Sequence, residues 1–184
     1  MNKFLPFLTL VFLVGLIAIA TYNLSYKQKT PASENSAEYG VHFVKTNIAL
    51  PDFSLPGLFD ERDGFSKKDL SKNKYSIINF FASWCTTCRA EHEILLRLKS
   101  EKIIEIYGIA WHDIASNARD YLAQSGNPFT KVAKDSSGIF TKVAGLQALP
   151  ETWIVDEEGT VVMRFRGNLQ EFSIDEIKQF LNQN

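Results

Sequence analysis

The chain has 184 residues, of which 45% are hydrophobic and 22% are charged, and its formal net charge is −1. This composition is typical of a globular protein and excludes a wholly disordered chain. The near-neutral charge provides no general attraction to nucleic acid, so we expect no nucleic-acid partner. Two cysteines are too few for a disulfide-rich scaffold, and they cannot form a four-ligand zinc site without other side chains.

An apolar stretch without a charged side chain runs from Phe4 to Tyr22 and follows Lys3. As a helix it would be about 28 Å long, which is close to the thickness of a bilayer core. The preceding positive charge favours keeping that end in the cytoplasm, so the rest of the chain would be exported. Two interpretations stay open for residues 1–22: an uncleaved membrane anchor, which we favour, or a signal peptide cleaved near Ala20.

Residues 23–44 are polar and show no periodicity, so we predict a linker there, to which His42 belongs. One folded domain is expected over residues 45–184. Its strands alternate with helices and end in a hairpin and a helix, which predicts an α/β fold with a central mixed sheet and helices on both faces. The expected elements are an extended segment near residue 47, a helix after Ser66, strands at 75–81, 103–110, 129–134, 152–155 and 160–166, and helices at 86–100, 115–124, 138–144 and 172–181.

The two cysteines stand in the sequence Cys85-Thr86-Thr87-Cys88, between a predicted strand and a predicted helix. On the first turn of a helix, residues three apart share one face, so the two sulfurs can bond. The unpaired N–H groups of the helix N-terminus favour a thiolate at Cys85. Cys85 is therefore the expected nucleophile towards a disulfide in a partner, and Cys88 would resolve the mixed disulfide.

Other uses of this motif compete with redox chemistry. A structural disulfide is one alternative. A metal site would need His92 as a third ligand, but we expect this histidine on the helix surface, and a second cysteine pair is missing. Covalent haem attachment is excluded because Arg89, and not histidine, follows Cys88. The position between a strand and a helix favours redox chemistry, and we expect no metal.

The stretch from Phe80 to Cys88 resembles the active-site stretch of thioredoxin-fold proteins. Three further segments, at residues 89–92, 126–129 and 149–152, narrow the resemblance to the CcmG/DsbE family. These are membrane-tethered thiol:disulfide interchange proteins of cytochrome c maturation. The resemblance covers about residues 45–184 and the N-terminal anchor.

This resemblance implies a thioredoxin-like fold with an inserted strand–helix unit, held in the bacterial inner membrane by one helix, with the soluble domain in the periplasm. It implies a protein disulfide reductase that receives electrons from a membrane donor of the DsbD or CcdA type. The reductase would keep the Cys-x-x-Cys-His thiols of apocytochrome c, or a partner thiol protein, reduced for haem attachment. No cofactor is implied beyond the redox-active disulfide Cys85–Cys88.

The resemblance also implies roles for residues outside the motif. Pro150 matches a proline held in cis beside the disulfide, which leaves the backbone of Leu149 able to pair with an incoming peptide. Glu91 and Glu151 match acidic residues of the family, and Glu91 follows Cys88 by one turn, where a carboxylate could take its proton. Simpler interpretations are a proline at a strand start and two solvated surface charges.

Three residues beside the cysteines are assigned to substrate binding with Leu149. Trp84 is expected in the docking surface, with core packing as its alternative. Thr86 and Thr87 stand where the family more often has a proline first, which leaves the redox potential open. Asn79 occupies a position where thioredoxins often carry a buried acid, which is consistent with a glutamate elsewhere serving as the base.

Other functions compete with this interpretation. One is a general periplasmic thiol oxidant or isomerase. Another is a non-catalytic thioredoxin-like module that binds apocytochrome or a metal ion. A peroxidase is disfavoured, because the segment at residues 51–55 is similar to peroxiredoxins but their Pro-x-x-x-Thr-x-x-Cys pattern is absent.

Overall fold

The computed structural model describes residues 42–184, together with residues 15, 17–19 and 21. The chain divides into two compact units, Met1–Asn35 and Ser36–Asn184. Most of the predicted membrane segment and most of the predicted linker lie outside the described residues. Within the described part, no helix has both the length and the apolar character required to cross a membrane.

The second unit alternates strands and helices as the sequence predicts. Its elements are β1 His42–Ala49, β2 Ser54–Leu55, a 3-10 turn at Glu61–Asp63, β3 Phe65–Ser66, α1 Lys67–Leu70, β4 Tyr75–Phe81, α2 Thr86–Ser100, β5 Glu105–Trp111, α3 Ala115–Ser125, β6 Lys131–Asp135, α4 Ile139–Ala144, β7 Glu151–Asp156, β8 Thr160–Arg166 and α5 Glu171–Gln183.

The first strand begins earlier than the predicted domain boundary. His42 pairs with Arg166, and the pairing with β8 continues along the strand to Ala49. Residues 42–44 therefore belong to the sheet and not to the linker, which corrects the predicted boundary at residue 45. The sequence near residue 42 does not reveal this strand, because its partner β8 is more than a hundred positions away. The contact between them includes the rings of Phe43 and Phe165, whose centres are 6.0 Å apart.

A six-stranded sheet of order β1-β8-β7-β4-β5-β6 forms the centre of the domain. β4, β5 and β6 run parallel to one another, whereas β7 is antiparallel to β4 and to β8, and β8 is antiparallel to β1. The sheet is therefore mixed, as predicted. β4 lies inside it and is buried along nearly its whole length, as its apolar sequence predicts.

Side chains of β4 alternate between the two faces of the sheet. Ile77 and Phe81 pack in one apolar cluster with residues of α2, α3 and α5. Ile78 and Phe80 pack in a second cluster with residues of α1 and α4. The predicted arrangement of helices on both faces is confirmed, and each face of the sheet has its own core.

The register of β4 against β7 positions the site. Phe80, near the end of β4, pairs with Glu151, the first residue of β7. Because the strands are antiparallel, the segment that follows β4 and the segment that precedes β7 meet at the same edge of the sheet. The first segment leads to Cys85, and the second carries Pro150.

Candidate active site

Cys85 is the N-terminal capping residue of α2. Its backbone is extended, and its sulfur accepts a hydrogen bond from the backbone N–H of Cys88 at 3.1 Å. This N–H belongs to the first turn of the helix, where no carbonyl of the same helix is available to it. The cap thus places the Cys85 sulfur where the helix dipole and a backbone donor both favour negative charge.

The two cysteines form a disulfide in this structure. The S–S distance is 2.07 Å and the Cα atoms are 5.3 Å apart. Cys85 is 6% exposed and Cys88 is 2% exposed, so Cys85 is the more accessible of two largely buried residues. The structure therefore represents the oxidised state of the pair.

Hydrogen bonds hold the loop between β4 and α2 to the residues that follow β5 and to α2 itself. The carboxylate of Asp113 accepts hydrogen bonds from the N–H and the hydroxyl of Ser83, the latter at 2.8 Å. The Nη2 atom of Arg89 donates to the Ser83 carbonyl at 2.7 Å. The indole N–H of Trp84 donates to the carbonyl of His112 at 3.1 Å. The residue before Cys85 is thereby fixed in position although its ring is 57% exposed.

The predicted substrate-binding residues Thr86 and Thr87 lie beside the disulfide, and Leu149 packs against the same apolar cluster. Thr86 and Thr87 are exposed on the first turn of α2, and the Thr87 hydroxyl lies 3.4 Å from the Cys85 sulfur. Leu149 is half-buried and packs against the apolar cluster that includes both cysteines. The Leu149–Pro150 peptide bond is cis.

Glu91 is completely buried inside the domain, one turn after Cys88. One carboxylate oxygen accepts from the Asn79 amide at 2.7 Å, and the other accepts from the backbone N–H of Leu169 at 2.8 Å. Burial raises the pKa of Glu91 to about 7, although the two donated hydrogen bonds oppose this effect. The Asn79 amide also donates to the Thr152 hydroxyl, while its own oxygen has no partner in the described part of the chain.

Glu151 is buried as well, but its surroundings are different. Its carboxylate accepts from the Arg164 guanidinium at 2.7 Å and from the backbone N–H of Gln147 at 3.3 Å. A second arginine, Arg166, has its Nε atom 3.6 Å away. Glu151 thus forms an ion pair with a buried guanidinium, whereas no cation is paired with Glu91 among the described residues.

His92 is buried, which corrects its expected place on the helix surface. Its Nδ1 atom lies 2.7 Å from the Tyr121 hydroxyl, and its Nε2 atom lies 3.0 Å from the Gly126 carbonyl. Burial lowers the pKa of His92, which favours a neutral ring that donates from Nε2 and accepts at Nδ1. The ring links α2 to the end of α3, and both of its nitrogens are used, so it is not available as a metal ligand. In the described part of the chain no three histidine, cysteine or acidic side chains cluster as a metal site.

Sequence reasoning missed two parts of this site. Asp113 gave no signal, since it follows a strand as many surface residues do. The sequence does contain a signal for Arg164, because it is a charged residue inside the apolar strand β8. In the structure it is only 4% exposed. A buried arginine indicates a buried acidic partner, and here that partner is Glu151.

Comparisons with known proteins agree with this geometry. The Redoxin family model matches residues 45–181. Thiol:disulfide interchange protein HelX of Rhodobacter capsulatus is 33% identical over 171 residues, which are 93% of this chain and 91% of the relative. Thiol:disulfide interchange protein DsbE of Tatumella citrea is 31% identical over 185 residues, covering 99% of this chain and 96% of the relative.

Solved structures show the same fold. A secreted thiol-disulfide isomerase from Corynebacterium glutamicum superposes with a TM-score of 0.66 at 20% identity, covering 77% of this chain and 92% of that one. A thiol:disulfide interchange protein of the thioredoxin family from Chlorobium tepidum gives a TM-score of 0.60 at 22% identity, with coverage of 74% and 97%. The chain therefore belongs to the Redoxin family, among its DsbE-type thiol:disulfide interchange proteins, and is a thiol:disulfide oxidoreductase with a thioredoxin-like fold.

Proposed function

We propose that this oxidoreductase acts as a reductant in cytochrome c maturation, with the disulfide-bonded Cys-x-x-Cys-His segment of apocytochrome c as its substrate. The observation that carries the proposal is the Cys85–Cys88 pair at the start of α2, at the sheet edge where Leu149 and Pro150 also lie. The similarity to DsbE and HelX supports the pathway, since these relatives are interchange proteins that align over almost the whole chain.

The reaction is a two-electron exchange. The Cys85 thiolate attacks one sulfur of the substrate disulfide, and the other substrate sulfur leaves as a thiolate that takes up a proton. The Cys88 thiolate then attacks the Cys85 sulfur of the mixed disulfide and releases the second substrate thiolate. The products are a substrate dithiol and the Cys85–Cys88 disulfide, which is the state of the present structure.

Glu91 is the proposed acceptor of the Cys88 proton. Its pKa of about 7 matches the working range of a general base near neutral pH. It lies three residues beyond Cys88, on the same side of α2. Glu151 is a poorer candidate, because its carboxylate is already bound by the Arg164 guanidinium and by the backbone N–H of Gln147.

The substrate segment would bind across Trp84, Thr86, Thr87 and Leu149. Neither the N–H nor the carbonyl of Leu149 has a hydrogen-bond partner within the described part of the chain. An extended peptide could therefore pair with this backbone and bring its disulfide towards Cys85. The exposed indole of Trp84 would supply apolar contact area on the other side.

Location and partners complete the proposal. The domain faces the periplasm, and residues 1–22 anchor it in the inner membrane. A membrane donor of the DsbD or CcdA type reduces the Cys85–Cys88 disulfide after each turnover. A thiol protein of the same pathway is the alternative acceptor, and no cofactor other than the disulfide takes part.

The first test is the reduction potential of the Cys85–Cys88 couple, measured by equilibration with a thiol buffer. A value near that of thioredoxin, about −270 mV, is expected for a reductant. A value near about −120 mV would refute the proposal and favour a general thiol oxidant. The absence of a reversible couple would favour a binding module instead.

The second test traps the substrate. The Cys88→Ser variant lacks the resolving thiol, so the reduced variant should accumulate a stable mixed disulfide with an oxidised Cys-x-x-Cys-His peptide through Cys85. The Cys85→Ser variant is the matched control, since it removes the attacking thiol and should form no such adduct. Absence of an adduct with the Cys88→Ser variant would contradict the assignment of the apocytochrome segment as substrate.

A further inference from the structure

One residue at the end of β5 has a backbone conformation that is uncommon for a residue with a side chain. His112 follows the last residue of β5, and its φ of 46° lies in the left-handed region. Among the described residues, Lys102 is the only other non-glycine residue with a positive φ. A β carbon in this region crowds the backbone, so such residues persist where the surrounding structure fixes them, and they are concentrated at functional sites.

The left-handed conformation directs the two backbone groups of His112 towards different neighbours. In an extended strand the N–H and the carbonyl of one residue point to the same side. Here the N–H donates to the Asp135 carbonyl on β6 at 3.3 Å, whereas the carbonyl accepts the indole N–H of Trp84 at 3.1 Å. Trp84 follows β4, and β5 lies between β4 and β6 in the sheet. The left-handed residue therefore offers Trp84 an acceptor that an extended residue would direct towards β6.

Contacts of the imidazole ring hold His112 in this conformation. Its Nδ1 atom lies 3.1 Å from the Ser136 carbonyl, and since a carbonyl only accepts, this nitrogen is the donor. The centre of the ring is 4.6 Å from that of Trp111. On the other side, a β carbon at Gly138 would lie 2.4 Å from the Nε2 atom, so a larger residue there would displace the ring. Three separate segments thus fix a backbone conformation that local preference disfavours.

The hydrogen bond to His112 orders a ring that is mostly open to solvent. Trp84 immediately precedes Cys85 and is 57% exposed. Among the described residues its indole N–H donates only to His112, and its ring centre lies 6.3 Å from that of Trp111. An exposed side chain that is already ordered loses less conformational entropy when a ligand binds. A tryptophan fixed in this way is a pre-organised contact surface beside the reactive sulfur.

We propose that His112 is a positioning residue whose left-handed backbone holds the Trp84 ring in the orientation that binds substrate peptides beside Cys85. His112 determines how tightly a peptide disulfide binds, and it takes no part in the exchange between the sulfurs. The inference rests on the proposed function, since it requires that a peptide contacts Trp84. It assigns the role to the backbone conformation and not to the imidazole, so a residue that readily adopts a positive φ should replace histidine.

The test compares two substitutions at position 112 in the full chain. His112→Val introduces a β-branched side chain, which disfavours a positive φ, whereas His112→Gly adopts a positive φ freely and keeps the carbonyl. Both variants lose the ring and its contacts, so a difference between them reports on the backbone. Lys102→Val is the matched control, because it places the same side chain at the other left-handed position, just beyond the end of α2 that is far from Cys85.

Each reduced protein is mixed with an excess of an oxidised Cys-x-x-Cys-His peptide, and oxidation of the Cys85–Cys88 pair is followed in a single turnover. For His112→Val we expect the half-saturating peptide concentration to rise about fivefold, as for the ordering of one side chain on binding. The maximal rate, and the rate with bis(2-hydroxyethyl) disulfide, which carries no peptide, should stay within about twofold of the parent values. His112→Gly and Lys102→Val should match the parent within about twofold in all three quantities.

Two outcomes of these measurements would overturn the proposal. One is a half-saturating concentration for His112→Val that equals that of the parent. The other is an equal rise in His112→Gly, because the imidazole and not the backbone would then be responsible. A parallel loss of rate with both disulfides would also contradict the positioning role, since His112 would then act on the cysteines.

Nuclear magnetic resonance keeps the proposal separate from the identity of the substrate. The order parameter of the Trp84 indole N–H should be near about 0.85 in the parent and in His112→Gly, and below about 0.6 in His112→Val. The buried indole of Trp153 serves as the internal reference. If the parent does not react with the peptide, the proposed function fails, while an ordered Trp84 in His112→Val would refute the positioning role. If His112→Val does not fold, His112→Ala, which still disfavours a positive φ, is compared with His112→Gly in the same measurements.

Discussion

Replacement of Glu91 by glutamine should change how the stability of the protein depends on pH. Burial raises the pKa of this carboxyl from its ordinary value of 4.5 to about 7. The gap between those values corresponds to about 3 kcal/mol. Ionised Glu91 lowers the free energy of unfolding by this amount. Replacing the carboxyl should therefore have a measurable effect in a domain of ordinary stability.

The direction follows from which state binds the proton. Below pH 4.5 the carboxyl is protonated in both the folded and the unfolded chain, and Glu91 makes no pH-dependent contribution. Between pH 4.5 and 7 the unfolded chain loses the proton while the folded chain keeps it. The free energy of unfolding therefore falls as the pH rises through this window, and the full penalty remains above it. The neutral amide of Glu91→Gln shows no such fall.

Glutamine at position 91 changes the hydrogen bonds of the site, because a rotated Asn79 amide places its NH2 group where its unpaired oxygen lies in the parent. This cost is the same at every pH. In the parent the Asn79 amide donates to Glu91 at 2.7 Å, and the Asn79 oxygen has no partner in the described residues. A rotation of the Asn79 amide turns that oxygen towards the new NH2 group, and the Thr152 hydroxyl can then donate to it. The backbone N–H of Leu169 keeps an oxygen acceptor.

The assay is urea unfolding of the oxidised full chain between pH 4 and pH 9. Between pH 4 and pH 8, the free energy of unfolding of Glu91→Gln should rise by about 3 kcal/mol relative to that of the parent. The matched control is Glu93→Gln, which removes the same charge from an exposed position on the same helix. The free energy of unfolding of this control should depend on pH in the same way as that of the parent. Parallel profiles for the parent and Glu91→Gln would refute the reasoning, because burial would then not govern ionisation of this carboxyl.

Three further predictions test other contacts of the site. Asp113→Asn retains one of the two hydrogen bonds to Ser83 and should lower the free energy of unfolding by about 1–3 kcal/mol, whereas Asp120→Asn on α3 should have little effect. Gly108→Ala should cost about 1–3 kcal/mol in urea unfolding, because the added carbon would lie 2.8 Å from the Phe129 ring; equal stability would contradict this packing. Trp84→Ala should raise KM for the peptide and change stability by less than about 1 kcal/mol; an unchanged KM would exclude the ring from the docking surface.

Local signals in the sequence were sufficient for the central elements. The strand at 75–81, the helix at 86–100 and the strand at 160–166 have the predicted boundaries. The first is an uninterrupted apolar run, the second begins at the cysteine cap, and the third follows a turn closed by Gly159. The predicted helix after Ser66 is also confirmed: α1 begins at Lys67, and the N–H of Ser66 donates to the Asp69 carboxylate at 2.9 Å.

The sequence by itself also determined the chemistry of the protein, because the spacing of two cysteines at a helix start is a local property. Only the tertiary structure decided which partners surround the two acidic residues near the cysteines. Glu91 and Glu151 look alike in the sequence, but Glu91 has no ionic partner among the described residues, whereas Glu151 is bound by Arg164. Their partners come from chain segments far away, at Leu169 and on β8. Desolvation and hydrogen bonding depend on what packs around a group, and that packing exists only after the distant strands have paired.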